Sequence, residues 1–158
     1  MPNTYLKTFQ KLSVFLGGLF LIFQIFKLLK NIASSTQAQR IREVIDQSRY
    51  KKLLPYIIAQ AKAETGNFTS TLYNGFHNLF GMKNAVIRPQ LGVSIPSSEF
   101  RRFSSDDESI RDFVLYLDFV GFPSDVANLN EYVRELKNRS YFEEPFTYYL
   151  GLMGKYYG

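Results

Sequence analysis

The feature that most constrains this chain is a run of fifteen uncharged and mostly apolar residues near its start, residues 12–26. If the lysine that follows the run snorkels, residues 12–29 form an 18-residue helix about 27 Å long. That length nearly matches the roughly 30 Å hydrocarbon core of a bilayer. Four lysines flank the run, two before it and two after it: Lys7, Lys11, Lys27 and Lys30. The pattern predicts a single transmembrane helix spanning about residues 12–29.

Two other interpretations of the run fit less well. A cleaved signal peptide has small residues directly after its apolar segment, whereas here two lysines come before residues 33–35. A buried helix of a soluble protein is seldom apolar on every face. We therefore expect residues 1–33 to be a membrane anchor and residues 34–158 to be a separate domain. More positive charges follow the span than precede it, which mildly favours a cytoplasmic domain.

Composition narrows the chemistry open to the domain. The chain has no cysteine and one histidine, His77, which excludes disulfides and thiol nucleophiles and disfavours a zinc or His-rich metal centre. We therefore expect neither a metal nor another cofactor. Four of the 19 basic residues but none of the 14 acidic ones lie in residues 1–33. The domain is nearly neutral, so we expect no nucleic-acid partner. Carboxylates remain as the groups available for catalysis.

The first part of the domain has the pattern of two helices. Residues 33–37 are polar and predict a hinge, and a helical pattern follows to about Leu54. Pro55 suits the first turn of the next helix, and Gly66 suits the position just beyond its end. This spacing places Glu64 in the last turn of a helix that has an apolar face.

Later helices are marked by their capping residues. Ser105 and Asn128 each precede an acidic residue by three positions and each begin a predicted helix. A last, aromatic helix is predicted for about residues 144–157. Residues 84–103 contain prolines, a glycine and β-branched residues, and they are where we expect short strands. The fold class is therefore α+β and mostly α, with one small β element.

Four motifs occur in the order found in a known family, namely IAQAKAETGNF at 58–68, NLFGMK at 78–83, FRRFSS at 100–105, and LKNRSYFEEP at 136–145. Together they resemble the bacterial and phage glucosaminidase family of the lysozyme-like superfamily. The resemblance implies a lysozyme-like domain with a small β lobe that hydrolyses peptidoglycan glycan strands at the β-1,4 bond next to N-acetylglucosamine.

The resemblance assigns the general acid to Glu64, which matches the catalytic glutamate of the family. A physical argument supports the same residue. Protonation of a glycosidic oxygen needs a carboxylic acid that stays protonated near neutral pH, and burial against apolar neighbours provides this. We expect those neighbours to be Phe68, Phe80 and Tyr141.

Further site residues follow from the same motifs. Tyr141 matches a family tyrosine that holds the sugar or stabilises charge. Asn78 and Phe80 would form the floor of the cleft, where Asn78 binds an N-acetyl group, and Phe68 would contact substrate nearby. His77 stands where the family often has asparagine, and we expect it to form hydrogen bonds at the substrate edge without acting as a catalyst.

A second carboxylate is usual in glycosidases, and in the family it lies in the β lobe, where Glu99 is the candidate. Without such a residue, the substrate's 2-acetamido group attacks, or the enzyme is a lytic transglycosylase that releases an anhydro-sugar. A non-catalytic, membrane-anchored structural protein of a virion is a third alternative. The expected location is a single-pass position in the bacterial envelope or in the membrane of a phage virion.

Overall fold

The computed structural model describes residues 3–158, and it describes side chains from residue 19 onward except that of residue 30. The described range is mostly helical with one small two-stranded sheet. A short 3-10 turn, Lys51–Leu53, precedes the second helix. In chain order the elements are α1 (Asn3–Ile45), α2 (Leu54–Thr65), α3 (Thr71–Phe76), β1 (Val93–Ser94), β2 (Arg101–Arg102), α4 (Asp106–Phe119), α5 (Leu129–Asn138) and α6 (Phe146–Gly154).

The first helix differs from its predicted extent. Residues 33–37 were expected to form a hinge but are helical, since none of them is glycine or proline and each is tolerated in a helix at small cost. Within this helix the Thr36 hydroxyl donates to the Ile32 carbonyl at 3.0 Å. The helix ends at Ile45, not near Leu54, because the backbone amide and hydroxyl of Ser48 both donate to the Ile45 carbonyl. The chain divides into two compact units, Met1–Thr36 and Gln37–Gly158.

By length and composition, residues Leu19–Ile45 of α1 could cross a membrane. A signal sequence near the N-terminus would pass the same test. The large apolar side chains between Leu19 and Leu29 are exposed, with Phe26 at 67%. The first part of the predicted span, residues 12–18, lies outside the described side chains.

The core of the second unit fixes the position of α2. Ile57 and Ala61 lie on one face of α2 and are fully buried. Because helix neighbours recur every three or four residues, the same face brings Glu64 to the edge of the core. Helices α4, α5 and α6 supply the apolar side chains on the other side, among them Ile110, Phe113, Leu117, Val133, Leu136 and Met153.

The predicted helix caps are present. Gly66 ends α2 in the left-handed conformation with φ 57°. The Ser105 hydroxyl accepts from the Glu108 amide at 3.2 Å, and the Asn128 side chain accepts from the Glu131 amide at 3.0 Å. Helix α3 was not predicted, because it has only six residues, and α6 is shorter than expected at both ends.

The β element lies where it was expected, within residues 84–103. Strands β1 and β2 pair antiparallel. The segment before them is tied to α4 by Arg88, whose guanidinium lies 2.7 Å from the Asp112 carboxylate. Both side chains are almost completely buried, at 4% and 0% exposed. Asp112 also accepts from the Leu91 amide at 2.7 Å.

Candidate active site

A cleft of about 600 Å³ opens in the second unit, beside the end of α2. This volume lies within the usual range of ligand-binding clefts. Its walls come from the end of α2, the segment after α3, and the segment from residue 140 into α6. Charged side chains from all three parts face the cleft, namely Glu64, Lys83, Arg88, Glu143 and Glu144, together with aromatic ones, namely Phe80, Phe100, Tyr116, Tyr141, Phe142, Tyr148 and Tyr149.

Glu64 is the half-buried carboxyl of this cleft. Its pKa is raised to about 7, mainly because the carboxyl is buried and to a smaller extent because of the negative charge of Glu144. The Tyr149 hydroxyl donates a hydrogen bond to Oε1 of Glu64, which works in the opposite direction and lowers the pKa. Near neutral pH a substantial fraction of Glu64 therefore carries a proton, as a general acid requires.

A glycine lets the segment after α3 approach this carboxyl closely. Gly81 has φ +59°, and a Cβ built on it would lie 3.0 Å from Oε2 of Glu64. The left-handed backbone conformation therefore favours glycine, and a side chain at this position would crowd the Glu64 carboxyl. The turn is fixed by Asn78, whose side chain accepts from the Met82 amide at 2.8 Å and donates to the carbonyls of Met82 and Arg101 at 2.9 Å.

Tyr141 links the opposite wall to the same segment. Its hydroxyl donates 2.5 Å to the carbonyl of Phe80, and its ring meets the edge of Phe113 at 6.1 Å. Phe80 stacks on Phe113 with ring centroids 4.1 Å apart. Burial raises the pKa of Tyr141 well above its usual value, so its hydroxyl stays protonated and can donate. Three predicted site residues, Glu64, Phe80 and Tyr141, thus line one cleft.

Four predicted site residues do not line the cleft. Phe68 is buried and packs against the ring of Tyr73 at 6.0 Å. Asn78 is 1% exposed, and its amide is used by the backbone of its own turn. His77 is exposed at the end of α3, where its Nδ1 lies 2.8 Å from Asp106. The carboxylate of Glu99 lies 2.9 Å from the Lys83 ammonium and is mostly exposed.

Sequence reasoning missed Tyr149, the hydrogen-bond partner of Glu64. Tyr149 lies on α6 and is 4% exposed. Its ring stacks on Phe142 at 4.0 Å. Nothing local distinguishes it among 11 tyrosines, because its partner is 85 positions away in the chain. Glu143 and Glu144 were noted as loop residues and not as part of the cleft.

The described residues contain no group of three or more His, Asp or Glu side chains that could hold a metal ion. The chemistry that the arrangement itself offers is proton transfer. A protonated carboxyl faces a cleft that also contains aromatic rings, hydroxyl donors and ionised groups. Such a site can protonate a leaving oxygen of a bound polar chain.

Comparison with known proteins gives one family match and one similar solved structure. The family model for glucosaminidase, described as mannosyl-glycoprotein endo-beta-N-acetylglucosaminidase, matches residues 39–153. A solved structure titled as a type VI secretion system effector-immunity complex from Pseudomonas protegens is similar at 20% identity, with a TM-score of 0.56, covering 80% of this chain and 93% of that one. At that identity the likeness concerns the fold alone. No curated protein matches the chain. The family match covers most of the chain, which therefore belongs to the glucosaminidase family.

Proposed function

We propose that this protein is a peptidoglycan glycosidase in which Glu64 is the general acid for cleavage of the β-1,4 bond next to N-acetylglucosamine. Membership of the glucosaminidase family supports a glycosidase that acts on peptidoglycan. The observation that carries the assignment to Glu64 is its environment. It is the half-buried carboxyl of the cleft, with a pKa raised by burial to about 7 and a hydrogen bond from Tyr149.

In the proposed reaction the glycan strand lies along the cleft. Glu64 gives its proton to the glycosidic oxygen as the bond between that oxygen and the anomeric carbon breaks. Positive charge then develops on the sugar ring, as in glycosidases generally. Tyr141, whose hydroxyl is held by the Phe80 carbonyl, lies beside this position and supports the segment that approaches Glu64.

Mass spectrometry of muropeptides released by the full-length protein tests this proposal. We expect products with a reducing N-acetylglucosamine end, and we expect Glu64→Gln to lose at least about 10²-fold in rate while it keeps its fold. Glu43→Gln, on an exposed part of α1, is the matched control and should retain activity. Anhydro-muramic ends would support a lytic transglycosylase instead, and no product at all would support a non-catalytic structural protein.

We further propose that residues 12–29 anchor the protein in a membrane as a single span, either in a bacterial envelope or in a phage virion. The length and apolar character of α1 and the exposure of its apolar side chains support an anchor. The full chain should then require detergent, whereas a chain that starts at Thr36 should not. The shortened chain keeps Ile41 and Ile45, which are fully buried. A full chain that stays soluble without detergent would refute the anchor.

A further inference from the structure

The cleft contains a second carboxylate in a different environment from that of Glu64. Glu144 is exposed on the segment between α5 and α6, and it lines the same cleft. Its negative charge acts on Glu64 and also on the ammonium of Lys83 across the cleft. One carboxyl is therefore half-buried and holds its proton, whereas the other faces water. Environments that differ in this way separate the acid from the base in paired-carboxylate enzymes.

The backbone that carries Glu144 is fixed relative to Glu64. The Lys137 ammonium donates to three consecutive carbonyls, those of Phe142 at 3.3 Å, Glu143 at 3.0 Å and Glu144 at 2.9 Å. The ring of Phe142 stacks on Tyr149, whose hydroxyl is bonded to Glu64. A chain of direct contacts therefore joins the segment to the proposed acid. A catalytic pair needs this kind of rigid support.

Glu99 lacks these features. Its carboxylate is paired with Lys83 at 2.9 Å and is mostly exposed, and it does not line the cleft. Glu143 does line the cleft, next to Glu144. Both neighbours raise the pKa of Lys83, and Glu144 is the one whose negative charge also raises the pKa of Glu64.

We propose that Glu144 is the second carboxylate of the reaction and activates the attacking water. This inference rests on the proposed function. As Glu64 donates its proton to the leaving oxygen and the glycosidic bond breaks, the water oxygen forms a bond to the anomeric carbon. The proton that this water loses passes to the Glu144 carboxylate. The step uses one water molecule, and it ends with Glu64 ionised and Glu144 protonated, so that one proton exchange with solvent restores both.

The test compares Glu144→Gln with Glu143→Gln in the full-length protein in detergent micelles. Loss of a general base lowers the rate by roughly 10²–10⁴-fold, so we expect Glu144→Gln to fall in that range. Glu143→Gln, on the same segment and with the same change in charge, should lose less than about tenfold. Circular dichroism should show an unchanged fold, because both side chains are exposed.

A rescue experiment separates catalysis from a structural role. Sodium azide should restore turnover of Glu144→Ala and give a glycosyl azide that mass spectrometry detects, because the small anion enters the space of the missing carboxylate. It should not rescue Glu64→Ala, which lacks the acid. Equal losses in Glu144→Gln and Glu143→Gln would overturn the role of Glu144 while leaving the function of Glu64 intact. Anhydro-sugar products from the wild type would also overturn it, because no water attacks in that reaction.

Discussion

The two walls of the cleft are held in place by different forces. The helical wall, which carries Glu64 and Tyr149, rests on side chains that are buried in the apolar core. The wall formed by residues 83–103 has two strands of two residues each, and its tip is apolar but exposed, with Val86 at 98% and Ile87 at 81%. What holds this second wall is a set of polar contacts, of which the buried pair of Arg88 and Asp112 is the most enclosed.

This difference explains how each wall responds to change. Apolar packing is shared by many side chains, so the helical wall tolerates the loss of any one contact better. The polar wall depends on a few charged groups that have left water, and removing one partner leaves the other buried and uncompensated. We therefore expect substitutions in the polar wall to cause the largest losses in the free energy of unfolding. Substitutions in the helical wall should cause the largest losses in catalytic rate.

The largest expected effect is that of Asp112→Asn. It removes the charge that balances the Arg88 guanidinium, which is 4% exposed, while it keeps the shape of the side chain. We expect a loss of about 3 kcal/mol in the free energy of unfolding, measured by urea denaturation. Asp125→Asn is the control, because its exposed pair with Lys52 should contribute at most about 1 kcal/mol. Similar losses in the two variants would contradict our account of the polar wall.

Gly81→Ala should combine a moderate loss of stability with a loss of activity. The left-handed backbone at Gly81 makes alanine unfavourable by roughly 1–2 kcal/mol. The new methyl group would also press on the Glu64 carboxyl, 3.0 Å away, and a catalytic group that is pushed out of its productive geometry loses rate, by up to about 10²-fold for a shift of about 1 Å. The shift needed here is smaller, so we expect a loss of less than about 10²-fold. Gly121→Ala has the same backbone conformation, φ +61°, but open space around it. We expect it to lose similar stability and keep its activity, as unfolding and turnover assays on both variants would show.

The smallest of the three effects is that of Tyr149→Phe on the pH profile. The lost hydrogen bond stabilises the ionised form of Glu64, so its removal raises the pKa of Glu64 above about 7. The alkaline limb of the rate profile should therefore move upward by about one pH unit, since a hydrogen bond to a charged group contributes roughly 1.5 kcal/mol. The control is Tyr132→Phe, which removes a buried hydroxyl bonded to Gln60. Tyr132→Phe should lower the free energy of unfolding without moving the alkaline limb of the rate profile. An alkaline limb that does not move in Tyr149→Phe would refute the role of the hydrogen bond between Tyr149 and Glu64.

The helical wall was largely predictable from the sequence. Local signals fixed the cap at Gly66 and the start at Pro55, and together they placed Glu64 at the end of a helix with an apolar face. The polar wall was predictable only as a place for short strands. The partner of Arg88 is 24 residues away, and that of Tyr149 is 85 residues away. Such pairs depend on how whole elements pack, and no local pattern encodes them. Glu99 illustrates this limit of prediction from local sequence. It was predicted to lie in the β element, where it does lie, but its side chain pairs with Lys83 and does not line the cleft.

The raised pKa of Glu64 couples the folding of the chain to its chemistry. Between the ordinary glutamate pKa near 4.5 and about 7, the folded chain keeps a proton that the unfolded chain releases. The contribution of Glu64 to the free energy of unfolding is therefore fully present below pH 4.5, and it declines as the pH rises from 4.5 to about 7. After each donation to substrate, the ionised carboxylate lies in surroundings that favour its neutral form. The fold itself thus drives recovery of the proton from solvent and resets the enzyme for the next glycosidic bond.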